Sequence, residues 1–269
     1  MKNIITITSL LAAGTLAASA AVPTKLLWGF DFTSESLAAS TGNVINLSGQ
    51  GTIDTAGGAV AGTGSYLTGG TADGILKFTA LGTTDDLKKQ SGNFSISFHA
   101  KNNGTTGDYP VIASFGENNS WCFKLADYGF QFDTDGYGGT KNTSITHIGN
   151  NWQHYLITFE GAGSSSGAGK LTLYVDGVNI VTRTFSGTGA DNDKAMTMFS
   201  FGGRLAHNGN NSNIYLSDLA VYKGVLAEDQ IKYLIKNKAN ESAIPEPSAF
   251  GLLAGLGALA LVGARRRRR

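Results

Sequence analysis

The sequence predicts an all-β domain in which two sheets pack face to face, with one short helix near the C-terminal end. Glycine supplies 37 of the 269 residues, about double its usual share of roughly 7%. Charged residues make up only 15% of the chain, and abundant Gly, Thr, Ser and Asn favours many short strands joined by turns. Because only one segment has helical spacing, the pattern indicates a two-sheet sandwich.

Alternation of apolar and polar residues marks the strands. In the clearest case Phe94, Ile96 and Phe98 alternate with small polar residues and a histidine, as in a half-buried strand. Asp176-Gly177 predicts a tight hairpin turn, and residues 161–167 predict a longer flexible hairpin tip. Further strands are expected at 27–32, 111–115, 121–125, 129–133, 152–159, 171–175, 178–185, 196–201 and 214–222.

The helix is expected at residues 227–236. Glu228 and Asp229 place two carboxylates in its first turn, where the helix dipole favours negative charge. Ile231, Leu234 and Ile235 form an apolar stripe along one side. These features are typical of a short amphipathic helix.

The N-terminal residues predict a secretory signal. Lys2 gives a positive start, residues 4–18 are apolar and small, and Ala18-Ser19-Ala20 fits a cleavage site. The apolar stretch is short for a membrane span, so a removed signal is the preferred interpretation. Residues 1–20 are therefore predicted to be a signal peptide that directs the chain to the Sec translocon.

The C-terminal residues predict a second sorting signal. Pro245, Glu246 and Pro247 precede an apolar run at 248–264, and Arg265–Arg269 follow it. A helix of 17 residues spans about 25 Å at 1.5 Å per residue, a little less than the roughly 30 Å of the hydrocarbon core. The arginines would hold that end in the cytoplasm and leave the preceding chain outside.

Motif, apolar segment and basic end together resemble the PEP-CTERM signal of Gram-negative bacteria. The resemblance implies that residues 245–269 are a sorting tail with a membrane-sorting helix, cut by an exosortase near Pro245-Glu246-Pro247. It also implies an inner-membrane intermediate, held by the C-terminal helix before processing. The protein would then pass to the cell surface, the outer membrane or the extracellular matrix. A plain tail anchor is the alternative interpretation.

Charge argues against nucleic acid as a partner. Apart from Lys2 and Arg265–Arg269, 15 basic residues face 20 acidic ones, so the body of the chain carries about −5. No basic surplus is left to neutralise phosphates.

Cys122 is the only cysteine, which rules out an intrachain disulfide. It is interpreted as a small buried hydrophobe on a strand.

Four motifs in order resemble the laminin-G-like, concanavalin A-like superfamily. They are residues 93–98, then 152–155 followed by 171–177, then 199–203, and finally 214–231. The resemblance extends over about 25–238 and implies a jelly-roll sandwich at 25–240. These motifs consist mostly of core and turn residues, so they indicate the fold and leave the function open.

Individual motif residues are first interpreted as structural. Trp28 and Trp152 are expected to pack between the sheets, and His154 to be a strand-surface or hydrogen-bonded histidine. Asp218 is expected to hold a turn or a backbone amide, with calcium coordination as the alternative.

Catalytic patterns are weak. Endoglucanases of this fold pair carboxylates on one strand, but no two of the six glutamates share a predicted strand. The G-x-S-x-G spacing at residues 163–167 lies in the predicted flexible hairpin tip and not at a strand-to-helix turn, so it does not indicate a nucleophile elbow. The four histidines lack zinc spacing. A divergent glycoside hydrolase therefore remains an alternative without a supporting motif.

Polar, aromatic-containing loops suggest recognition of a glycan. Aromatic faces stack on sugars, and amides and carboxylates bind their hydroxyls. The alternative is that these loops are ordinary solvated turns. Tyr137→Ala is expected to weaken binding without lowering the melting temperature, whereas Trp152→Ala is expected to lower it. The candidate ligand residues are Asp127, Tyr128, Asp133, Asp135, Tyr137, Asn208 and Asn210.

Calcium is a candidate cofactor. Asp133 and Asp135 occupy the first two acidic positions of a calcium loop, but no bidentate Glu follows at the EF-hand distance.

The preferred prediction for the whole chain is a non-catalytic module that binds a polysaccharide or a glycoprotein glycan. A structural matrix or spacer protein without a small ligand is the alternative from a different class.

Overall fold

The computed structural model describes two antiparallel sheets packed face to face and one helix. This architecture confirms the predicted two-sheet sandwich. Among the described residues, no helix is both long and apolar enough to cross a membrane. The predicted signal peptide, the sorting residues Pro245, Glu246 and Pro247, and the apolar run at 248–264 lie outside them. The described residues are 25–35, 41–42, 46–79, 87–88, 90–104, 111–116, 122–126, 129–133, 141–142, 148–164, 166–186, 196, 198–204 and 211–239.

The larger sheet has nine strands. They are β1 (Lys25–Phe30), β2 (Thr41–Gly42), β4 (Thr52–Asp54), β5 (Ser65–Leu67), β7 (Asn93–Asn102), β12 (Gln153–Glu160), β13 (Ala168–Val175), β14 (Val178–Ser186) and β16 (Ile214–Lys223). Seven of them follow the order β14-β13-β12-β7-β16-β1-β2. The strand β5 pairs with the first residues of β16 and also with β4.

The smaller sheet has seven strands. They are β3 (Asn46–Ser48), β6 (Leu76–Thr79), β8 (Val111–Phe115), β9 (Cys122–Ala126), β10 (Gly129–Asp133), β11 (Lys141–Asn142) and β15 (Met198–Phe201). Their order is β11-β10-β9-β8-β15-β6-β3. Consecutive strands β8 to β11 are neighbours, whereas β15 comes from much later in the chain and completes the centre of the sheet.

An aromatic core fills the space between the sheets. Alternate residues of β7 point inward, and the ring of Phe98 meets Phe201 of the facing sheet edge-on, with centroids 5.1 Å apart. Trp28 stacks on Phe78 at 5.1 Å and is only 3% exposed. The expected position of Trp28 between the sheets is therefore confirmed. Burying such rings is a main source of stability, at roughly 25 cal/mol per Å² of apolar surface.

The helix α1 (Glu228–Leu234) packs on the outer face of the larger sheet. Gln230 anchors its start, because its side-chain oxygen accepts the N–H of Ala227 at 2.9 Å. Ile231 and Leu234 are buried in a second apolar cluster. The sheet contributes Leu156, Ala220 and Tyr222 to this cluster. The predicted helix exists with slightly shorter bounds, and its apolar stripe has the expected role.

The hairpin between β13 and β14 has the predicted turn. Asp176 and Gly177 have φ values of 50° and 79°, and two positive values in succession are the mark of a type I′ turn. The N–H of Asp176 donates to the carbonyl of His154 at 2.8 Å. The turn is thereby tied to the neighbouring strand β12.

Candidate functional site

Five side chains form a group on the outer face of the larger sheet, four of intermediate exposure and one, Asn103, exposed. We call them the outer shelf: Lys101, Asn103, Trp152, Asn213 and Tyr215. Lys101 pairs with Tyr215 in the β7–β16 register, and Trp152 precedes the first residue of β12. The inward positions of these strands belong to the inter-sheet core, so alternation directs the shelf residues away from it.

The centre of the outer shelf is a lysine held against two aromatic rings. The ammonium nitrogen of Lys101 is 4.7 Å from the centroid of the Trp152 ring and 4.6 Å from that of Tyr215. The two rings meet edge-on at 6.3 Å and 65°. Both distances to the ammonium lie within the range of cation–π attraction. All three residues are of intermediate exposure, so water reaches the cluster.

A pair of asparagines borders the rings on the side of the strand ends. The N–H of Asn103 donates to the carbonyl of Asn213 at 2.9 Å. The side-chain amide of Asn213 donates back to the carbonyl of Asn103 at 2.9 Å. Reciprocal bonds of this kind fix the end of β7 against the start of β16. They place two planar amides beside the aromatic cluster.

Helix α1 covers the sheet next to the outer shelf, and two histidines lie beneath it. The rings of His99 and His154 are 4.8 Å apart. His154 shares a hydrogen bond of 2.9 Å between its Nε2 and the hydroxyl of Ser97. His99 approaches the carbonyl of Ile235, after the last helical turn, with its Nε2 at 3.4 Å. Of the two expected alternatives for His154, the hydrogen-bonded one is confirmed. The strand-surface one is wrong, because α1 covers this position and leaves it 1% exposed.

Burial keeps both histidines neutral. It lowers the pKa of His99 from 6.5 to about 4, against smaller opposing effects of the Ile235 carbonyl and of Asp176. It lowers the pKa of His154 well below the usual value, and the charge of His99 would lower it further. Covered and uncharged imidazoles of this kind suit the packing of α1.

Asp218 holds the chain that follows the helix. Both of its carboxylate oxygens accept the N–H of Ala239, at 3.0 and 2.9 Å. Its φ of 49° lies in the left-handed region, inside the β16 irregularity between Ser217 and Ala220. Of the two expected roles, the structure gives Asp218 that of binding a backbone amide. The described residues contain no group of three or more His, Cys, Asp or Glu placed to hold a metal ion.

Trp152 does not pack between the sheets as expected. It lies on the outer face and is of intermediate exposure. The reason is that successive residues of a strand face opposite sides of the sheet. Tyr155, Ile157 and Phe159 of β12, all odd-numbered, point into the inter-sheet core. Even-numbered positions such as 152 and 154 therefore face outward.

Most of the predicted ligand residues lie outside the described part of the chain. Asp133 is the last residue of β10. It pairs with Cys122, whereas the other end of the same hairpin is the pair Ala126 and Gly129. The residues outside the described part are Asp127, Tyr128, Asp135, Tyr137, Asn208 and Asn210.

The ends of this β9–β10 hairpin differ in their relation to the outer shelf. Ala126 pairs with Val111 at the start of β8. The next residue of β8, Ile112, accepts the N–H of Gly202 at 2.7 Å, and Gly202 accepts that of Ser212 at 2.8 Å. Ser212 lies just before β16, so Ala126 and the outer shelf share one end of the sandwich. Asp133 lies at the opposite end.

Sequence reasoning missed the outer shelf. The available signal was the set of large amphipathic residues at strand ends: Lys101, Trp152 and Tyr215. Two of them fall inside motifs that were interpreted as core. Only the strand register shows that they face the same way.

The family follows from residues 73–232, which match the model of the concanavalin A-like lectin/glucanases superfamily. The chain belongs to this superfamily. Residues 243–268 match the PEP-CTERM protein-sorting motif. This motif indicates export and sorting to the cell envelope, with processing by an exosortase.

Solved structures agree on the fold. Domain 4 of an extracellular arabinanase from Geobacillus stearothermophilus, in complex with arabinotriose, is 17% identical with a TM-score of 0.54, covering 80% of this chain and 100% of that one. The receptor binding domain of botulinum neurotoxin D is 14% identical with a TM-score of 0.56, covering 78% and 52%. The ligand binding domain of botulinum neurotoxin serotype D with N-acetylneuraminic acid is 14% identical with a TM-score of 0.55, covering 78% and 50%. The chain thus spans about half of the neurotoxin domains. No curated protein sequence matches the chain.

Proposed function

We propose that the protein is an exported, surface-sorted, non-catalytic module that binds a glycan or exopolysaccharide through the outer shelf. The observation that carries the proposal is the pair of half-exposed rings, Trp152 and Tyr215, beside two planar amides. Aromatic faces stack on the C–H surfaces of sugars, and amides hydrogen-bond their hydroxyls. The shelf combines both kinds of group on one face.

The rigidity of the outer shelf favours binding. Its residues lie on or directly beside paired strands, and the Asn103–Asn213 bonds fix the strand ends. A site on a sheet loses little conformational freedom when a ligand arrives, so more of the contact energy appears as affinity. This is a better basis for recognition than a set of free loops.

The comparisons support a sugar ligand in general terms. Two similar structures contain a sugar, arabinotriose in the arabinanase domain and N-acetylneuraminic acid in the neurotoxin domain. Sorting to the envelope would bring the protein to the place where surface polysaccharides are found. The glutamates of the described strands and helix support no catalytic pair, because Glu160 bonds to Lys170 and Glu228 to Lys232 on exposed surfaces.

The predicted loop residues remain a second proposed contact region. Asp127 and Tyr128 directly follow Ala126 in the sequence, and Ala126 lies at the shelf end of the sandwich. This proximity in sequence is the reason to propose them as contacts of an extended glycan. Asp133 lies at the opposite end, and contacts there would form a separate region. Calcium at Asp133 and Asp135 likewise remains a proposal.

A glycan array with the full chain in mild detergent, with and without calcium, tests the proposed function. Wild-type protein is expected to bind at least one polysaccharide, and Trp152→Ala is expected to bind it more weakly. Val178→Ala, which changes a 62% exposed residue on β14, is the matched control and should bind normally. Absence of binding to every polysaccharide would favour the spacer function, and release of reducing sugar would favour the hydrolase.

A further inference from the structure

We propose that the outer shelf selects polysaccharides that carry carboxylate groups, with the ammonium of Lys101 as the partner of the sugar carboxylate. The inference rests on the proposed function and names its ligand class. It starts from the position of Lys101 between the Trp152 and Tyr215 rings, at 4.7 and 4.6 Å from their centroids.

The charge of Lys101 is not neutralised by the described part of the chain. Its contacts there are the two ring faces, and no carboxylate forms an ion pair with it. Three other described lysines differ in this respect. The ion pairs that they form are Lys170–Glu160 at 2.9 Å, Lys232–Glu228 at 2.6 Å and Lys238–Asp31 at 2.8 Å. Lys101 is thus a cation held in place by rings and open to an anion from outside.

The carboxylates on the same face of the sheet are already engaged. Asp176 accepts the N–H of His154 at 2.8 Å, at the hairpin turn. Asp218 is buried and holds the N–H of Ala239 with both oxygens. The net negative charge of the rest of the chain acts over longer distances. It is screened beyond about 8 Å at physiological ionic strength, so the contact at Lys101 decides the preference.

The geometry links charge recognition to stacking. An anion bonded to the ammonium of Lys101 lies next to both ring faces, because the ammonium itself is within 5 Å of each centroid. The sugar ring that carries a carboxylate would therefore meet Trp152 or Tyr215 through its C–H surface. Its hydroxyls would reach toward the amides of Asn103 and Asn213. A neutral sugar would keep the stacking and lose the charged contact.

The test compares polygalacturonate, alginate and hyaluronate with their carboxyl-reduced forms, which retain the backbone and lack the charge. Binding of the full chain in mild detergent is measured for wild type, Lys101→Met, Lys101→Arg and Lys25→Met. The methionine keeps an apolar stem against the rings. Lys25 is exposed and pairs with Lys223 at the opposite end of the sandwich, so Lys25→Met removes the same charge elsewhere.

Wild type and Lys25→Met are expected to bind at least one acidic polysaccharide about tenfold more tightly than its reduced form, a difference that one well-placed charged contact can supply. Lys101→Met should lose most of this preference, and Lys101→Arg should keep it. Equal binding of acidic and reduced forms, with loss in Trp152→Ala, would overturn the inference and leave the proposed function standing. Dextran sulfate, which carries sulfate and no carboxylate, tests for general attraction to negative charge. The inference would be overturned if dextran sulfate bound as tightly as the best carboxylated polysaccharide and if this binding persisted in Lys101→Met. Binding to no polysaccharide, acidic or reduced, would overturn both.

Discussion

The outer face of the larger sheet has two halves that share strands β7, β12 and β16 but differ in construction. In the half beneath α1, side chains are buried, either in the apolar cluster that contains Leu156 or in hydrogen bonds such as that between Ser97 and His154. In the bare half, the outer shelf presents large side chains with polar ends, Lys101, Trp152 and Tyr215. The difference teaches that one sheet face can be closed for stability over part of its length and left open for recognition over the rest.

The covered half should respond most strongly to a cavity. Leu234→Ala removes a fully buried side chain of α1 and should lower the free energy of unfolding by about 2–5 kcal/mol. Urea denaturation followed by circular dichroism measures the change. Val225→Ala, at a 36% exposed residue just before the helix, is the control and should have a small effect. A loss in Leu234→Ala no larger than in the control would mean that α1 contributes little to the covered half.

Acid should weaken the covered half through its histidines. The pKa of His99 is lowered to about 4 in the folded protein, so below pH 6.5 the unfolded chain binds a proton that the folded protein does not. The contribution of His99 to the free energy of unfolding is therefore fully present above pH 6.5 and is lost as the pH drops toward 4. At pH 5 the loss from His99 alone is roughly 2 kcal/mol. His154, whose pKa is also lowered by burial, acts in the same direction.

Urea denaturation at pH 7.5 and at pH 5 measures this loss. His99→Gln, which cannot gain a proton, is the control and should show a smaller difference between the two pH values. An equal loss in both proteins would assign the acid sensitivity to other groups.

The bare half should respond in binding more than in stability. Trp152→Ala should weaken glycan binding by about tenfold, since one aromatic contact contributes on the order of 1 kcal/mol. Its effect on unfolding should be about 1 kcal/mol, instead of the roughly 3–5 kcal/mol of a core tryptophan. The melting temperature is still expected to fall, but by less than for a residue between the sheets, because Trp152 lies on the outer face. Glycan titration and thermal unfolding of the Trp152→Ala variant measure the two effects. Normal binding together with a loss of about 3–5 kcal/mol in stability would show that Trp152 serves stability and not recognition.

The smallest effect is expected at Tyr137, four residues after Asp133 in the sequence, because Asp133 lies at the end of the sandwich away from the outer shelf. Tyr137→Ala should weaken binding less than Trp152→Ala and leave the melting temperature unchanged. Isothermal titration of both variants against the same polysaccharide makes the comparison. A larger loss in Tyr137→Ala would move the main contact from the shelf to the predicted loop.

Alternation was sufficient to predict the long strands. Phe94, Ile96 and Phe98 repeat every second residue, and β7 extends this pattern on both sides, to Asn93 and Asn102. The strands β8 and β10 have the predicted bounds. The short strands at Thr41–Gly42, Asn46–Ser48 and Thr52–Asp54 were missed, because two or three residues are too few to show a period.

The outer shelf could not be predicted from the sequence, because it depends on the register of the strands and on which part of the sheet helix α1 covers. Trp152 looks like a core residue in sequence, and only its position relative to Tyr155 shows that it faces outward. His154 has the same parity as Trp152, yet α1 covers one and leaves the other half-exposed. A helix that returns from residues 228–234 to one part of the sheet leaves no mark in the strand sequence itself.

The most direct measurement is the affinity of the Trp152→Ala/Tyr215→Ala double variant for the polysaccharide that wild type binds best. Removing both rings is expected to lower the affinity by well over about tenfold, because two stacking contacts are lost. The β-sheet circular dichroism and the cooperative thermal transition should be retained. Unchanged affinity in the folded double variant would contradict the assignment of recognition to the outer shelf.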